Sequence, residues 1–497
     1  MDQFDLIVLG AGSAGYAAAQ VATSEFGARV ALVDKGPLGG LCILAGCMPS
    51  KAYIQSSHVA HLIEKAAEFG LQVDGWRPDF RAIRARKERL IKGYADYRNQ
   101  GLAALPNSEL IVGDAEFTGP TTIRVGDRTL SAPRFVLAAG SSPMVPPIQG
   151  LTETGFILSE QALSLDALPR SLAIIGGGII ALEMGQFFAR MGVTVTIVEA
   201  APRLLAREDA DVSEVITRRM EAEGMTVHVG VKPSYVERRG DQKVVCFDTA
   251  EGRRVEVFCD EIAVATGREP AVQGLNLEAA GVQMDGRRMV LNRCLGTTNP
   301  AIFAAGDVTG GSFLVHVAIA DGQLAARNAL SGCPPTPAHE HLYISAAFTE
   351  PNIARVGLSE REAAALGREV LVGKYLFADH GKAEILDELD GFVKLLADPR
   401  TGEILGATCV GPEGAELIHE MSAVITLRAT VEQFLKVPHV HPTLAEIWTY
   451  PAEAILEQMR RQSRLSVTFS PSGYNDMMEE EAFERAQRAH PSKPPST

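Results

Sequence analysis

The chain has 497 residues, enough for about three domains of ordinary size. Hydrophobic residues make up 46% of it and charged residues 22%, which is typical of a globular enzyme. The 47 basic and 61 acidic residues give a net charge of −14, which disfavours a nucleic acid as partner. No apolar run approaches the ~20 residues of a membrane span, and the acidic N-terminus does not resemble a targeting peptide. We therefore expect a cytoplasmic protein that binds neither nucleic acid nor membrane.

One pattern occurs twice along the chain: an apolar strand, a glycine-rich turn, a helix, and a second strand that ends in an acid. The first copy has strands at 5–9 and 29–34 around Gly10, Gly12 and Gly15, and the second has strands at 172–175 and 193–199 around Gly176, Gly178 and Ala181. Such turns bring a pyrophosphate to the positive end of a helix, and the acid (Asp34 or Glu199) binds ribose hydroxyls. One copy alone would also fit a helix-packing glycine. Two copies in this context predict two dinucleotide-binding domains with buried parallel sheets.

The acid of the second copy bears on the choice of nicotinamide cofactor. A 2′-phosphate beside the Glu199 carboxylate would be repelled, which favours NAD over NADP. Arg203, four residues further on, is a charge that argues in the opposite direction. We give the Glu199 carboxylate more weight than Arg203, and therefore predict NAD as the nicotinamide cofactor.

Three later strands suggest how the domains are arranged. Short apolar strands end at Gly140 and at Gly267, and the stretch 301–306 delivers Asp307 at its carboxyl end. We expect a first domain that is interrupted by the second, a proline-rich linker, an α+β third domain and a mobile polar tail. The predicted ranges are 1–150 and 270–336 for the first domain, 151–269 for the second, 337–470 for the third and 471–497 for the tail.

Cys42 and Cys47 are the only two cysteines close to each other in the sequence. Residues five apart in an ideal helix have Cα atoms about 8–9 Å apart, whereas a disulfide tolerates at most about 7 Å. A bond between these two cysteines therefore requires a distorted first turn, which Gly46 could supply. A catalytic redox pair is the favoured interpretation, with metal ligands or two buried thiols as alternatives. The other five cysteines, expected to be small buried residues, are Cys246, Cys259, Cys294, Cys333 and Cys409.

A candidate base lies in the segment 437–446. Pro442 should keep His441 out of the helical region and could itself start a helix, with Glu446 in the first turn. A carboxylate on one imidazole nitrogen leaves the other free for proton transfer. A surface helix cap is the alternative, and His439 is expected to be a packing neighbour.

With these residues in place, the chain resembles the FAD-dependent pyridine nucleotide–disulfide oxidoreductases over residues 4–465. The resemblance rests on both glycine turns, the GGxCx4CxPSK stretch at 39–51, Gly306-Asp307, the stretch 348–357, and His441-Pro-Thr-x-x-Glu446. It implies an α/β fold with two Rossmann-like domains, the FAD domain interrupted by the NAD domain, and a C-terminal α+β dimerisation domain. It also implies FAD and NAD as cofactors, and a homodimer in which His441 and Glu446 of one subunit serve the cysteines of the other.

The resemblance also implies roles for single residues. Cys47 would lie against the flavin, and Cys42 would exchange with the substrate. Lys51 matches the lysine near flavin N5, Glu183 the acid that pairs with it, and Asp307 the acid that binds the ribityl chain. The other expected cofactor-binding residues are Gly10, Gly12, Gly15, Asp34, Lys35, Gly39, Gly40, Ala115, Gly140, Gly176, Gly178, Glu199, Gly267 and Val315, with no resident metal.

Within the family the sequence is most similar to the dihydrolipoyl dehydrogenases. Thioredoxin reductases of the selenol or dithiol type and mercuric reductases have extra cysteines near the C-terminus, whereas no cysteine follows Cys409 here. Glutathione-type reductases have a tyrosine where Ile179 stands. Soluble transhydrogenases lack the second active-site cysteine, which is present here as Cys47. Departures from the family pattern are Leu41 for threonine and Asp34 for glutamate, and Ala181 stands where dihydrolipoyl dehydrogenases usually have glycine.

The expected substrate is a lipoyl-bearing protein or a small dithiol or disulfide. One alternative is an NAD(P)H-driven reductase of another disulfide, a metal ion or a quinone. A second alternative, a non-catalytic assembly subunit, is opposed by the intact Cys42, Cys47, His441 and Glu446.

Overall fold

The computed structural model describes residues 1–332, 334–338 and 342–463. Within them the chain divides into two compact units: the described part of 1–341 together with 347–351, and 342–346 together with 352–463. No helix in this part of the chain is long and apolar enough to cross a membrane. The tail expected at 471–497 lies outside the described residues, and the domain boundaries stay predictions.

The larger unit begins with a parallel sheet and its helices. In chain order its first elements are β1 (Asp2–Gln3), β2 (Leu6–Leu9), α1 (Ser13–Phe26), β3 (Val30–Asp34), α2 (Gly40–Leu44), α3 (Cys47–Glu64), a 3₁₀ turn (Lys65–Phe69), α4 (Phe80–Ala103), β4 (Ser108–Val112), β5 (Ala115–Gly119), β6 (Thr122–Val125), β7 (Arg128–Ser131), β8 (Phe135–Leu137) and β9 (Ser141–Pro143). Alternate residues of β2 enter two different cores, Leu6 and Val8 on one face and Ile7 and Leu9 on the other. Burial on both faces explains why this strand is apolar throughout.

The second stretch of the larger unit contains the second copy of the pattern. Its elements are α5 (Leu151–Thr154), β10 (Ile157–Leu158), α6 (Ser159–Ala162), β11 (Ser171–Ile175), α7 (Ile179–Arg190), β12 (Thr194–Val198), α8 (Ala210–Ala222), β13 (Thr226–His228), β14 (Pro233–Arg239), β15 (Gln242–Asp248), β16 (Arg254–Cys259), β17 (Glu261–Val264) and β18 (Arg268–Pro270). Five of these strands form a parallel sheet in the order β10-β17-β11-β12-β13. An antiparallel sheet, β14-β15-β16, is separate from it.

The chain then returns to the first sheet. The returning elements are β19 (Met284–Asp285), β20 (Arg288–Met289), β21 (Ile302–Ala304), a 3₁₀ turn (Gly306–Thr309) and α9 (Val315–Leu330). Strand β21 pairs in parallel with β8, which gives the sheet order β21-β8-β2-β3-β4. Helix α9 packs against α1 so closely that a Cβ on Gly322 would lie 2.1 Å from the backbone oxygen of Ala14. Only glycine fits this position.

The smaller unit is an α+β domain built on a five-stranded sheet. Its elements are β22 (Ile344–Ala347), β23 (Asn352–Gly357), α10 (Glu360–Ala365), β24 (Leu371–Leu376), a 3₁₀ turn (Phe377–Asp379), α11 (Gly381–Leu386), β25 (Phe392–Ala397), β26 (Ile404–Gly411), α12 (Gly414–Thr426), α13 (Val431–Phe434), a 3₁₀ turn (Ala445–Trp448) and α14 (Thr449–Ser463). The sheet order is β22-β23-β26-β25-β24, and the last three pairs are antiparallel. Trp448 is fully buried in the core of this unit. The predicted fold class, two Rossmann-like regions and an α+β domain, is confirmed.

Candidate active site

The first glycine turn is closed by the acid at the end of β3. Gly10 has φ +107°, and a Cβ there would lie 2.2 Å from the Ala138 oxygen, so the position requires glycine. The Asp34 carboxylate accepts hydrogen bonds from the backbone N–H groups of Ala11 and Gly36, both at 2.7 Å. It therefore fixes the turn that leads into α1, while its remaining lone pairs can accept ribose hydroxyls.

The second glycine turn repeats this arrangement. Gly176 has φ +119°, and Glu199 accepts hydrogen bonds from the N–H of Gly177 and, at 2.5 Å, from the N–H of Ala201. The sequence predicted that each acid binds ribose, but it did not predict that each acid also holds its own glycine turn. Ala181, which ends the second glycine turn, is fully buried in α7.

Two glycines face open space on the side where a pyrophosphate would lie. A Cβ on Gly12 would be 3.9 Å from the nearest protein atom, and a Cβ on Gly178 would have none within 4 Å. Packing therefore does not explain glycine at these two helix N-caps, whereas close approach by a phosphate does. Both turns fit a dinucleotide.

The remaining predicted cofactor positions of the first domain lie at strand ends and helix starts. Ala115 opens β5 and Val315 opens α9, whereas Lys35 is exposed directly after β3. Gly39 precedes α2, and a Cβ on the next residue, Gly40, would lie 2.7 Å from the Gly12 Cα.

The acid delivered by β21 has partners that the sequence did not indicate. Asp307 accepts a hydrogen bond from the Ser141 hydroxyl at 2.7 Å. Arg268 donates to the same hydroxyl at 2.9 Å and to the Ser141 backbone oxygen at 2.8 Å. Gly140 and Gly267 immediately precede Ser141 and Arg268, and both glycines have positive φ. The two glycine strand ends and Asp307 are thus brought together.

The two close cysteines lie on different helices. Helix α2 contains Cys42 and ends at Leu44, and Cys47 is the first residue of α3 after Gly46. The predicted distortion at Gly46 is therefore present as a complete break in the helix. Cys42 is half-buried and Cys47 is exposed, both as free thiols.

The two thiols have opposite protonation tendencies. A hydrogen bond from the Cys42 thiol lowers the pKa of Cys47 to about 7, and the charge of Lys51 acts in the same direction. The same hydrogen bond raises the pKa of Cys42, and burial adds to that rise. Cys47 is accordingly the thiol of the pair that ionises first, and Cys42 keeps its proton.

Lys51 lies one helical turn after Cys47. Its ammonium group donates to both carboxylate oxygens of Glu183, at 2.9 and 2.7 Å. The Glu183 side chain is buried and also accepts the Phe348 N–H at 2.8 Å, and the Phe348 ring centroid is 4.7 Å from the Lys51 nitrogen. The predicted pairing of Lys51 with Glu183 is present, and Phe348 is an additional contact that the sequence did not reveal.

His441 and Glu446 form an imidazole–carboxylate pair in the smaller unit. Nδ1 of His441 lies 3.0 Å from Oε2 of Glu446, while the His441 side chain is 81% exposed. The other oxygen, Oε1, accepts the Thr443 N–H at 3.3 Å. With Nδ1 engaged, Nε2 of the exposed ring is available for proton transfer.

Two further histidines lie close to this pair or its loop. His439 makes hydrogen bonds with Val437 O and Glu420 at both ring nitrogens, as expected for a packing neighbour. His380 is fully buried, with Nε2 3.7 Å from Oε1 of Glu446, and burial lowers its pKa. Nothing in the sequence pattern indicated His380.

Two sequence expectations are corrected. Pro442 does not begin a helix: the helical turn begins at Ala445, because Glu446 folds back onto the Thr443 N–H. Cys294 is half-buried rather than buried, and its thiol donates to the Pro335 oxygen at 3.4 Å. Cys246, Cys259 and Cys409 are buried as expected, and Cys333 lies outside the described residues.

Family models match most of the chain. Residues 4–322 match the pyridine nucleotide-disulphide oxidoreductase model, and residues 343–452 match the dimerisation domain of that family. The chain belongs to this family. The cofactors of this oxidoreductase are FAD and NAD, and the dimerisation-domain match supports a homodimer.

Similar proteins within the family carry several names. A dihydrolipoyl dehydrogenase of Thermus scotoductus is 35% identical over 467 residues, which cover 92% of this chain and 98% of that protein. A mercuric reductase of Lysinibacillus sphaericus is 32% identical and covers 90% of this chain and 81% of its own length. The structure of the HOCl-induced flavoprotein disulfide reductase RclA from Escherichia coli has a TM-score of 0.80 at 26% identity, covering 90% and 99% of the two chains. Membership of the family therefore does not by itself select the substrate.

Proposed function

We propose that this oxidoreductase is a dihydrolipoyl dehydrogenase, which converts a dihydrolipoyl group and NAD⁺ into a lipoyl group, NADH and a proton. The observation that carries the proposal is the cysteine pair at the break between α2 and α3, one helical turn from the Lys51–Glu183 ion pair, in which the Cys42 thiol donates to Cys47 and lowers the pKa of Cys47 to about 7. Such a pair is suited to two-step exchange with a dithiol. Relatives named dihydrolipoyl dehydrogenase at about 35% identity support the choice of substrate.

In the proposed reaction His441 acts as the base. Its Nε2 takes a proton from one substrate thiol, and Glu446 on Nδ1 stabilises the imidazolium that forms. The substrate thiolate attacks Sγ of Cys42 in the oxidised pair, which breaks the Cys42–Cys47 bond and leaves Cys47 as a thiolate. The second substrate thiol then attacks the substrate sulfur bonded to Cys42. Lipoyl is released, and Cys42 leaves with a proton.

The residues around the cysteines hold the charge that this exchange produces. The Lys51 ammonium favours the Cys47 thiolate, and Glu183 holds the ammonium in place through two hydrogen bonds. When bound, FAD supplies the two-electron step between the thiol pair and NAD. Asp34, Asp307 and the turn at Gly10–Gly15 would hold FAD, and Glu199 and the turn at Gly176–Ala181 would hold NAD.

Steady-state rates with a panel of substrates test this proposal. We expect rapid NAD⁺ reduction with dihydrolipoamide, faster still with a lipoylated carrier protein, and little NADH oxidation with glutathione disulfide, Hg²⁺ or quinones. The relative named mercuric reductase makes the Hg²⁺ assay a necessary comparison. A rate with Hg²⁺ or glutathione disulfide above that with lipoamide would instead establish a reductase of another substrate.

A further inference from the structure

His380 is a buried histidine whose ring has no hydrogen-bond partner within residues 1–332, 334–338 and 342–463. The residue is 1% exposed, and neither Nδ1 nor Nε2 finds a donor or acceptor within hydrogen-bond geometry in this part of the chain. Its backbone is fully used: its N–H donates to Phe377 O, and its oxygen accepts the Glu384 N–H, both at 3.0 Å. Buried polar groups without partners are rare and require an explanation.

Glu446 and Tyr450 are the two neighbours that define the orientation of the His380 ring. Nε2 lies 3.7 Å from Oε1 of Glu446, the oxygen that His441 does not use. The ring meets Tyr450 edge-on, with centroids 6.1 Å apart and planes at 83°, and Tyr450 stacks on Tyr375 at 4.1 Å. The aromatic contact fixes the edge of the imidazole that faces the carboxylate.

His439 provides a comparison within the same unit. Its side chain is 8% exposed, and both of its ring nitrogens have partners, Val437 O and Glu420. The hydrogen bonds at both ring nitrogens therefore explain why a histidine occupies this position. His380 differs because its ring nitrogens have no hydrogen-bond partner among the described residues, and Nε2 lies 3.7 Å from the carboxylate of the proposed acid–base pair.

We propose that His380 is a positioning residue for Glu446, which holds the carboxylate between two imidazoles so that Oε2 stays directed at His441. This inference rests on the proposed role of His441 as the base. The groups that act on His380 from the elements around it are Glu446, His441 and Tyr450.

The charge balance determines which of the two rings ionises. Burial lowers the pKa of His380, and the nearby His441 lowers it further, against the attraction of Glu446. The buried ring accordingly stays neutral beside Oε1, with Nε2 3.7 Å from that oxygen, while the exposed ring takes up the substrate proton. Without the His380 ring, Oε2 of Glu446 is held less firmly toward His441 and stabilises its imidazolium less, although the Thr443 N–H still binds Oε1.

The test uses His380→Leu, which removes the N–H, and His380→Asn, which retains an N–H donor. His439→Leu is the control for loss of a buried histidine. Reduction of the bound flavin by dithiothreitol is followed by anaerobic stopped flow across the pH range in which imidazole titrates. This reaction requires neither NAD nor a lipoyl substrate. NADH-dependent ferricyanide reduction and the melting temperature verify that each variant is folded and contains FAD.

We expect His380→Leu to slow flavin reduction several-fold and to move the acid limb of its pH profile to lower pH, by about half a pH unit or more, because the imidazolium is stabilised less. His380→Asn should stay close to wild type, and His439→Leu should leave the profile in place. The proposal is overturned if the Leu and Asn variants behave alike, or if His380→Leu lowers the rate equally at every pH. A wild-type protein that is reduced by dithiothreitol but inactive with dihydrolipoamide would refute only the proposed function.

Discussion

Replacing Cys42 by serine or by alanine should separate the two roles of the cysteine pair. The hydrogen bond from Cys42 is the largest factor that lowers the pKa of Cys47, from 9.0 to about 7. A serine hydroxyl can still donate to the Cys47 sulfur, whereas alanine cannot. The Cys47 thiolate should therefore persist near neutral pH in Cys42→Ser, and it should require a higher pH in Cys42→Ala.

The size of the effect follows from the two pKa values. With a pKa of about 7, roughly half of Cys47 is thiolate at pH 7, and with a pKa of 9.0 the fraction is about 1%. Lys51 remains in Cys42→Ala and keeps part of the shift, so the apparent pKa should rise by less than this limit. Because the thiolate is lost as the pH falls through its pKa, the alanine variant should lose it at the higher pH.

The assay is the long-wavelength thiolate-to-flavin absorbance, recorded as a function of pH under anaerobic conditions. Cys42→Ser should retain or strengthen this band, Cys42→Ala should show it only at higher pH, and Cys47→Ser should abolish it. If Cys42→Ser abolished the band and Cys47→Ser retained it, the two roles would be exchanged. Identical titrations of the serine and alanine variants would refute the hydrogen-bond explanation.

Three further substitutions test the second nucleotide turn and the packing of α1 on α9. Glu199→Ala should reduce the preference for NADH over NADPH about fivefold, because a carboxylate and a phosphate a few ångströms apart in water repel by about 1 kcal/mol. A wild-type enzyme that is faster with NADPH than with NADH at the same low concentration would contradict the assignment of NAD as cofactor. Gly322→Ala should lower the unfolding free energy by about 1–3 kcal/mol, since its Cβ would lie 2.1 Å from Ala14 O. Gly93→Ala, on α4 with no atom within 4 Å of the added carbon, should be neutral or stabilising by about 1 kcal/mol in chemical denaturation. Equal stability of the two variants would argue against the close packing of α1 on α9.

The fold was accessible from the sequence where its pattern is local. The order of strand, glycine turn and helix depends on residues near each other in the chain, such as Gly10 and Asp34. The strands around them are apolar because both faces are buried. The break between Cys42 and Cys47 could also be predicted, since a regular helix would hold them too far apart.

The finer contacts were not accessible because they join distant parts of the chain. The pairing of Lys51 with Glu183 came from the family resemblance, and no periodicity connects the two residues. The approach of His380 to Glu446 depends on how a strand-end turn packs against α14. The helical turn begins at Ala445 rather than at Pro442 because the Glu446 side chain accepts the Thr443 N–H. The preference for proline at a helix start does not predict this hydrogen bond.

The most direct test of the proposed reaction is complementation between two inactive variants. Homodimers of Cys42→Ser and of His441→Ala should both be inactive with dihydrolipoamide and NAD⁺. A heterodimer, isolated with two affinity tags, would contain one intact site, built from Cys42 of one subunit and His441 of the other, and one site that lacks both. We expect it to recover roughly half of the wild-type rate. Activity that stays at the level of the single variants would contradict a shared site in which His441 serves the cysteines of its partner.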